Sequence, residues 1–220
     1  MYARNLISES VPALQGTETG SEALRRMEVF HVSHLPVVSH GDYGGLISET
    51  DITGRPADDP VGTDFAAAFK PFVYEYQHLY EVIELSSRLD LSVVPVLSEN
   101  DRYLGMIPAA QLMHAFGELV AAKSAGGILV LEVNAADYFL SQIARIVEDN
   151  DAKILSCYIT SPPDSVKTEI TLKINRTDLT SVIRTFIRYE YTVKASFRSR
   201  NHHEETLRSH YEQFMMYLNV

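Results

Sequence analysis

The sequence predicts an α+β protein built from two kinds of unit, and three observations carry this prediction. A pattern of strands and helices occurs twice within residues 1–123. A different alternation of strands and helices follows, in the order βαββαβ. The chain has 220 residues and 45% hydrophobic content, which is enough to bury a substantial core in more than one compact unit.

The repeat is visible as segments that match one another at a nearly constant spacing. Pro36 in "HLPVV" and Pro95 in "VVPVL" are separated by 95 − 36 = 59 residues, and apolar β-formers follow both. Two further matches lie at this offset or one residue beyond it: Glu22-Ala23-Leu24 with Glu81-Val82-Ile83, and Gly45-Leu46-Ile47 with Gly105-Met106-Ile107. Three matched points in the same order indicate tandem copies of one unit, with a period too long for an ordinary solenoid repeat.

Each copy is predicted to contain a short extended lead-in, a helix, a strand, a turn, a second strand and a second helix. We place the first copy at residues 1–58 and the second at residues 59–123. The stretch "GRPADDPVGTD" lies between them, and its Gly, Pro and Asp residues are typical of a linker.

The pattern then changes to βαββαβ, the ferredoxin-like arrangement, which we place at residues 126–198. Apolar residues at helical spacing predict its two helices, and alternating apolar residues predict its strands. In the last strand, "YTVKASF", the alternating set is Tyr191, Val193, Ala195 and Phe197. Residues 199–220 are predicted to form a C-terminal amphipathic helix, which must dock on its own sheet or on a partner subunit, and the sequence does not choose.

The composition argues against several classes of protein. The 19 Lys and Arg residues against 29 Asp and Glu give a formal charge of −10, which disfavours nucleic acid because binding a phosphate backbone relies on clustered cations. No apolar run approaches the roughly 20 residues that span a bilayer, so no membrane partner is predicted. The start "MYARNLISES" lacks the apolar core of a secretion signal, and we expect a cytoplasmic protein. The single cysteine, Cys157, is predicted to be a buried small hydrophobic residue within a strand.

The duplicated unit resembles the cystathionine-β-synthase (CBS) domain, which normally occurs as a tandem pair. The resemblance rests on an apolar-Pro-apolar strand, a turn, and then Gly-apolar-apolar leading to Ser/Thr-x-x-Asp, as in "GGLISETD". It covers roughly Met1 to Ala122. The implied fold is a tandem CBS pair, or Bateman module.

The βαββαβ unit is similar to an ACT domain, a small regulatory module that often senses amino acids, over about Gly127 to Arg198. The ligand turn of that family usually carries Asp-x-x-Gly; this chain keeps Asp137 but has Leu140 in place of the glycine. A CBS pair followed by an ACT domain is similar to the acetoin-utilisation type of regulatory protein, which implies a regulatory role.

The candidate site is the point at which "SETD" ends a strand and begins a helix. In one interpretation Ser48 and Asp51 form only a capping box, each accepting a hydrogen bond from the backbone N–H of the other. In the other, a phosphate lies on the free N–H groups beside Ser48 and Asp51 accepts hydrogen bonds from ribose hydroxyls. The resemblance implies the second role, since CBS pairs commonly bind adenosine nucleotides there. The second copy has Pro108 and Gln111 near the matching positions, so we expect at most one nucleotide per chain.

The resemblance therefore implies a set of ligand-binding residues, while no catalytic or metal-binding residue is assigned. The set is Ser48, Thr50, Asp51, His34, Pro36 and Arg55. The expected regulatory ligand is ATP, ADP, AMP or S-adenosylmethionine, and no catalytic cofactor is expected. Arg102 is a further candidate cation, and a monophosphate would need fewer cations than a triphosphate.

Three hypotheses for function follow. The chain is a non-catalytic, ligand-sensing regulator, in which the CBS pair binds an adenosine-type nucleotide and the ACT domain mediates dimerisation or binds a second effector. Alternatively, it is a dimeric structural scaffold with a degenerate ligand cleft. A small enzyme using Asp51 or the histidines is disfavoured because no nucleophile–base pair is recognisable. We expect a homodimer, since both units would expose apolar surface if alone.

Overall fold

A computed structural model describes residues 1–54, 56–62, 70–134, 138–161 and 166–198. The chain forms two compact units, Met1–Phe116 and Gly117–Val220. Strands and helices occur in both, which confirms the predicted α+β class. Within the described ranges, no helix is long and apolar enough to cross a membrane.

The N-terminal unit contains the predicted repeat, with the same element order in both copies. The first copy consists of β1 (Leu14–Gln15), α1 (Gly20–Phe30), β2 (His34–Ser39), β3 (Asp42–Ser48) and α2 (Glu49–Thr53), after a short 3-10 helix at Ala3–Leu6. The second consists of β4 (Val73–Tyr74), α3 (Leu79–Arg88), β5 (Val93–Leu97), β6 (Tyr103–Pro108) and α4 (Ala109–Leu119). Each copy forms a three-stranded sheet, in which its first strand pairs in parallel with the second and the second pairs antiparallel with the third.

The matched glutamates of the repeat are helix-start signals. The Glu22 carboxylate accepts a hydrogen bond from Thr19 N (2.8 Å), and Thr19 Oγ1 accepts one from Glu22 N (3.3 Å). In the second copy the Glu81 carboxylate accepts from His78 N (2.9 Å). These reciprocal bonds satisfy N–H groups that the first turn of a helix leaves without partners. The same signal therefore begins α1 and α3.

The two copies also share backbone details. Gly45 and Gly105 have φ values of +149° and +152°, which residues with a Cβ rarely adopt. A β-bulge interrupts the pairing of β2 with β3 after Val37 and that of β5 with β6 after Val96. One apolar core contains buried residues from both copies. The matching glycines and bulges place the ends of the corresponding strands in equivalent positions.

The C-terminal unit has the predicted βαββαβ order and a four-stranded antiparallel sheet. Its elements are β7 (Gly127–Asn134), α5 (Leu140–Glu148), β8 (Ile154–Thr160), β9 (Lys167–Ile174), α6 (Thr180–Arg188) and β10 (Thr192–Arg198). The order β10-β7-β9-β8 places β7 and β9 in the centre of the sheet. Leu129, Leu172 and Phe186 are fully buried in the core between the sheet and the two helices. The arrangement is ferredoxin-like, as expected.

Two predictions about this sheet are wrong. Val193 pairs with a core residue of β7, but a β-bulge follows it, so Phe197 pairs with Ile128 on the other face. The predicted alternation is broken there: Val193 packs on the core, whereas Phe197 is 56% exposed. Cys157, predicted to be buried, is exposed because β8 is an edge strand.

Three of the predicted features lie outside the described residues. They are Arg55, Asp137 at the expected ACT ligand turn, and the C-terminal helix at residues 199–220.

Candidate functional site

The candidate site, which we call the Ser48 corner, is the point at which β3 ends and α2 begins. Ser48 is the last residue of β3 and the N-cap of α2. Its Oγ accepts a hydrogen bond from Asp51 N (3.2 Å), while Asp51 Oδ2 accepts from Ser48 N (2.8 Å) and from Ser48 Oγ (2.6 Å). The Thr50 hydroxyl lies 2.8 Å from Ser48 Oγ. The predicted capping box is therefore confirmed.

The cap uses only one oxygen of the Asp51 carboxylate. Oδ1 has no hydrogen-bond partner among the described residues, and the side chain is exposed. An ionised carboxylate has acceptor capacity for about four hydrogen bonds, so the cap leaves part of it for other donors. Capping and ligand binding are thus compatible roles for Asp51.

The α2 helix is too short to hold an anion by its dipole. It has five residues, and Glu49 and Asp51 place two carboxylates in its first turn. A helix dipole depends on aligned peptide units, and nearby carboxylates offset its positive end. The Asp51 N–H is also already bonded to Ser48. The Ser48 corner therefore suits hydroxyl groups better than a triphosphate.

His34 lies beside Ser48 on the adjacent strand, as its register partner. Ser92 N lies 3.4 Å from His34 Nδ1. Because a backbone N–H can only donate, this bond assigns the lone pair to Nδ1 and the hydrogen to Nε2. Burial lowers the pKa of His34, and the nearby carboxylates of Asp51 and Asp90 oppose this effect. His34 is therefore a neutral imidazole whose Nε2–H is a donor, and its strand position is opposite Ser48.

Two serines that sequence reasoning did not identify hold His34 in place. Ser92 Oγ accepts hydrogen bonds from Ser33 N and from His34 N, both at 3.0 Å, and lies 3.2 Å from His34 Nδ1. Ser33 and Ser92 occupy equivalent positions in the two copies, because 92 − 33 = 59. The offset that relates the prolines of the repeat was therefore a signal that could have found them.

Two other predicted residues lie away from the Ser48 corner. Pro36 is buried within β2, where it pairs with Leu46, so it contributes packing. Arg102 pairs with Asp42 (2.6 Å) at the turn between β2 and β3. The Ser48 corner is at the other end of these strands, roughly 17 Å away at about 3.3 Å per residue. Arg102 is thus too distant to neutralise a ligand bound beside Ser48.

The matching corner of the second copy lacks these polar groups. Val93 and Pro108 are register partners there, in place of the histidine and serine of the first copy. Gln111 takes the place of the aspartate. No carboxylate or hydroxyl remains at these three positions.

The C-terminal unit has a separate cavity of about 520 Å³ at the end of the sheet where β7 leads into the loop before α5. Glu132, Lys167, Gln142 and Tyr191 contribute to its lining. Lys167 forms an ion pair with Glu132, and its hydrogen bond lowers the pKa of that carboxyl. The Tyr191 hydroxyl donates to Gln142 Oε1 (3.1 Å). The cavity therefore offers an anion and a cation side by side.

Comparison with known families identifies the N-terminal half. The CBS domain model matches residues 3–58 and again residues 65–118, which together make up half of the chain. The chain belongs to the CBS domain family. The two matched segments contain the two copies of the repeat, so this CBS protein carries a tandem pair, as the resemblance implied.

Individual relatives show more limited similarity. A homoserine O-acetyltransferase of Methanocorpusculum labreanum is 28% identical over 116 residues, which cover 51% of this chain and 23% of that protein. The chain thus spans about a quarter of the length of this curated relative. A CBS domain pair/ACT domain protein from Thermotoga maritima has 20% identity and a TM-score of 0.48, over 53% of this chain and 96% of that one. CBSX2, solved in complex with AMP, has 15% identity and a TM-score of 0.45, over 52% and 95% of the two chains.

Proposed function

We propose that this CBS protein is a non-catalytic regulator that binds one adenosine-type nucleotide per chain at the Ser48 corner. CBS-pair proteins are in general regulatory and not catalytic. The observation that carries the proposal is that Asp51 Oδ1 has no partner among the described residues, while the same carboxylate is bonded to Ser48, the register partner of His34. A carboxylate oxygen accepts hydrogen bonds from ribose hydroxyls, while the imidazole N–H donates to an oxygen of the ligand.

The charges near the Ser48 corner favour a ligand with few negative charges. Glu49 and Asp51 are acidic, Arg102 is paired at the far end of the strands, and the whole chain has a formal charge of −10. These carboxylates would repel a triphosphate, and Arg102 is too distant to offset the repulsion, while Arg55 lies outside the described residues. We therefore rank AMP and S-adenosylmethionine above ADP and ATP.

A thermal-shift screen tests the proposal. A ligand at 100 times its dissociation constant adds about 2.7 kcal/mol to the free energy of unfolding, which gives a clear rise in unfolding temperature. We expect the largest rise with AMP or S-adenosylmethionine, and recovery of the ligand unchanged after prolonged incubation. Consumption of the ligand would favour the enzyme hypothesis. No shift with any adenosine compound would favour the dimeric scaffold with a degenerate cleft.

We infer a second, separate role for the C-terminal unit, as an ACT-like domain that binds a second small effector in the 520 Å³ cavity. The support is the Glu132–Lys167 pair, since adjacent opposite charges match a zwitterion such as an amino acid. The replacement of the usual glycine by Leu140 leaves the identity of the effector open. An amino-acid screen should give a thermal shift that Glu132→Gln removes. Glu169→Gln is the matched control, because Glu169 forms a similar ion pair with Lys194 on the same sheet but does not line the cavity.

We also propose that the protein is a homodimer. An apolar groove of about 330 Å³ lies between α3 and α4, lined by Ile83, Leu112, Met113 and Phe116 among others. Met113 is 69% exposed and Phe116 is 44% exposed. A second molecule of this chain would cover the groove and remove its apolar surface from water. Symmetric dimers are the commonest assemblies of soluble proteins. Multi-angle light scattering at micromolar concentration should report twice the mass of the chain. The similarity to acetoin-utilisation regulators stays a prediction.

A further inference from the structure

The C-terminal sheet carries a second, smaller cavity on the face that α5 and α6 leave uncovered. The cavity has a volume of about 200 Å³, and we call it the Lys173 cavity. Lys173, Thr171, Ser156, Tyr158, Ile128 and Ala122 line it. Strand register places Ser156, Lys173 and Ile128 in one row across β8, β9 and β7. The Ser156 hydroxyl donates to Val120 O (2.9 Å), so the segment after α4 forms one wall.

Lys173 is the unusual member of this lining. Its side chain is 7% exposed, and no ion pair or hydrogen bond joins it to another described residue. Lys167 and Lys194 on the same sheet instead pair with Glu132 and Glu169. The stem of Lys173 is buried, but its ammonium group reaches solvent, because no buried side-chain nitrogen or oxygen of the described residues lacks a hydrogen-bond partner. An anion that entered the cavity would therefore meet a cation that no described carboxylate already neutralises.

The lining limits the chemistry of that anion. Among the described residues around the cavity, none is acidic, so the ammonium group of an amino acid would find no counter-charge. Ile128 and Ala122 supply apolar walls, which favour a ligand with a hydrocarbon part. The volume of about 200 Å³ is below the range of roughly 300–1,000 Å³ that is typical of drug-sized ligands, so a nucleotide does not fit.

We propose that the Lys173 cavity binds a short-chain aliphatic carboxylate. Its carboxylate pairs with Lys173 Nζ and accepts a hydrogen bond from the Thr171 or Tyr158 hydroxyl, while its alkyl group packs on Ile128 and Ala122. This site is independent of the Ser48 corner and of the 520 Å³ cavity, and it does not rest on either proposal of function.

Isothermal titration calorimetry of the full chain with 2-methylpropanoate tests the proposal. We expect saturable binding at millimolar concentration, and no binding of the uncharged analogue 2-methylpropanamide. Lys173→Met keeps the buried stem and removes the charge, and should weaken binding by about ten- to a hundredfold, as expected for the loss of a charge-assisted hydrogen bond. Lys194→Met, on β10 of the same sheet, is the matched control and should bind like the wild type.

A second variant keeps the test independent of the folding of Lys173→Met. Ala122→Leu fills the cavity without changing its charge and should abolish binding, with a circular dichroism spectrum like that of the wild type. The proposal is overturned if 2-methylpropanoate does not bind the wild-type chain, if the amide binds equally well, or if both cavity variants bind with wild-type affinity.

Discussion

Replacing Asp51 by asparagine should separate helix capping from ligand binding, because the two roles use different oxygens. Asparagine keeps an oxygen that can accept the Ser48 N–H, which Asp51 Oδ2 now accepts at 2.8 Å. Asparagine at this third helical position keeps the reciprocal bond of the capping box and loses only the charge near the helix start, so the free energy of unfolding should change by less than about 1 kcal/mol. Asp51→Ala removes the acceptor itself and should cost about 1 kcal/mol or more. Urea denaturation measures both values.

Both substitutions should weaken AMP binding to a similar extent, since each removes the charged acceptor that would hold the ribose. The loss of a charged hydrogen bond is about 1.5–3 kcal/mol, or about ten- to a hundredfold in dissociation constant, and calorimetry measures it directly. Gln111→Ala in the second copy is the matched control and should leave the affinity unchanged. An unaltered affinity in Asp51→Asn would leave the capping box as the whole explanation of "SETD". Equal losses at Asp51 and Gln111 would contradict the asymmetry between the copies.

Four further predictions concern stability and assembly. Burial lowers the pKa of His34, so the imidazole binds a proton more readily in the unfolded chain than in the folded one. The unfolding temperature should therefore fall as the pH drops below about 6.5. It should fall less steeply in His34→Asn, which lacks the imidazole. At Gly126, with φ +145°, an added Cβ would lie 1.9 Å from Ile174 O, so Gly126→Ala should lower the free energy of unfolding by more than about 2 kcal/mol in urea. Gly117→Ala, where an added Cβ meets nothing within 4 Å, should instead raise it by about 0.5–1 kcal/mol. Phe116→Asp should shift the dimer to monomer in light scattering, and a persistent dimer would exclude the groove as the interface.

The features that the sequence predicted are those encoded by local periodicity. Glu22 and Glu81 lie at the third helical position of α1 and α3, where a capping box needs an acidic residue, so their match also located the helices. Ser48 and Asp51 follow the same rule at α2. The alternation in β9 and the apolar stripes of α5 and α6 predicted the βαββαβ order for the same reason.

The features that it did not predict depend on which strands become neighbours. Cys157 is exposed because the order β10-β7-β9-β8 makes its strand an edge, and strand order is not readable from apolar alternation. The bulge after Val193 reverses the face of the following residues without any glycine to mark it. Ser33 and Ser92 matter because they meet across the two copies. A single small polar residue carries no periodic signal, so only the offset of 59 could have pointed to them.

The second copy shows that a corner of this kind can fold without a capping box. The backbone bond from Glu49 N to Ser33 O (3.0 Å) has its counterpart from Ala109 N to Ser92 O (2.9 Å), so both corners have the same backbone connection. Yet the corner with Pro108 leads into α4, a helix of 11 residues, while the corner with the box leads into α2, which has five. The fold therefore admits a proline at this point in place of the box. Only the first copy retains a carboxylate here, and the proposed ligand would use the Asp51 oxygen that has no partner among the described residues.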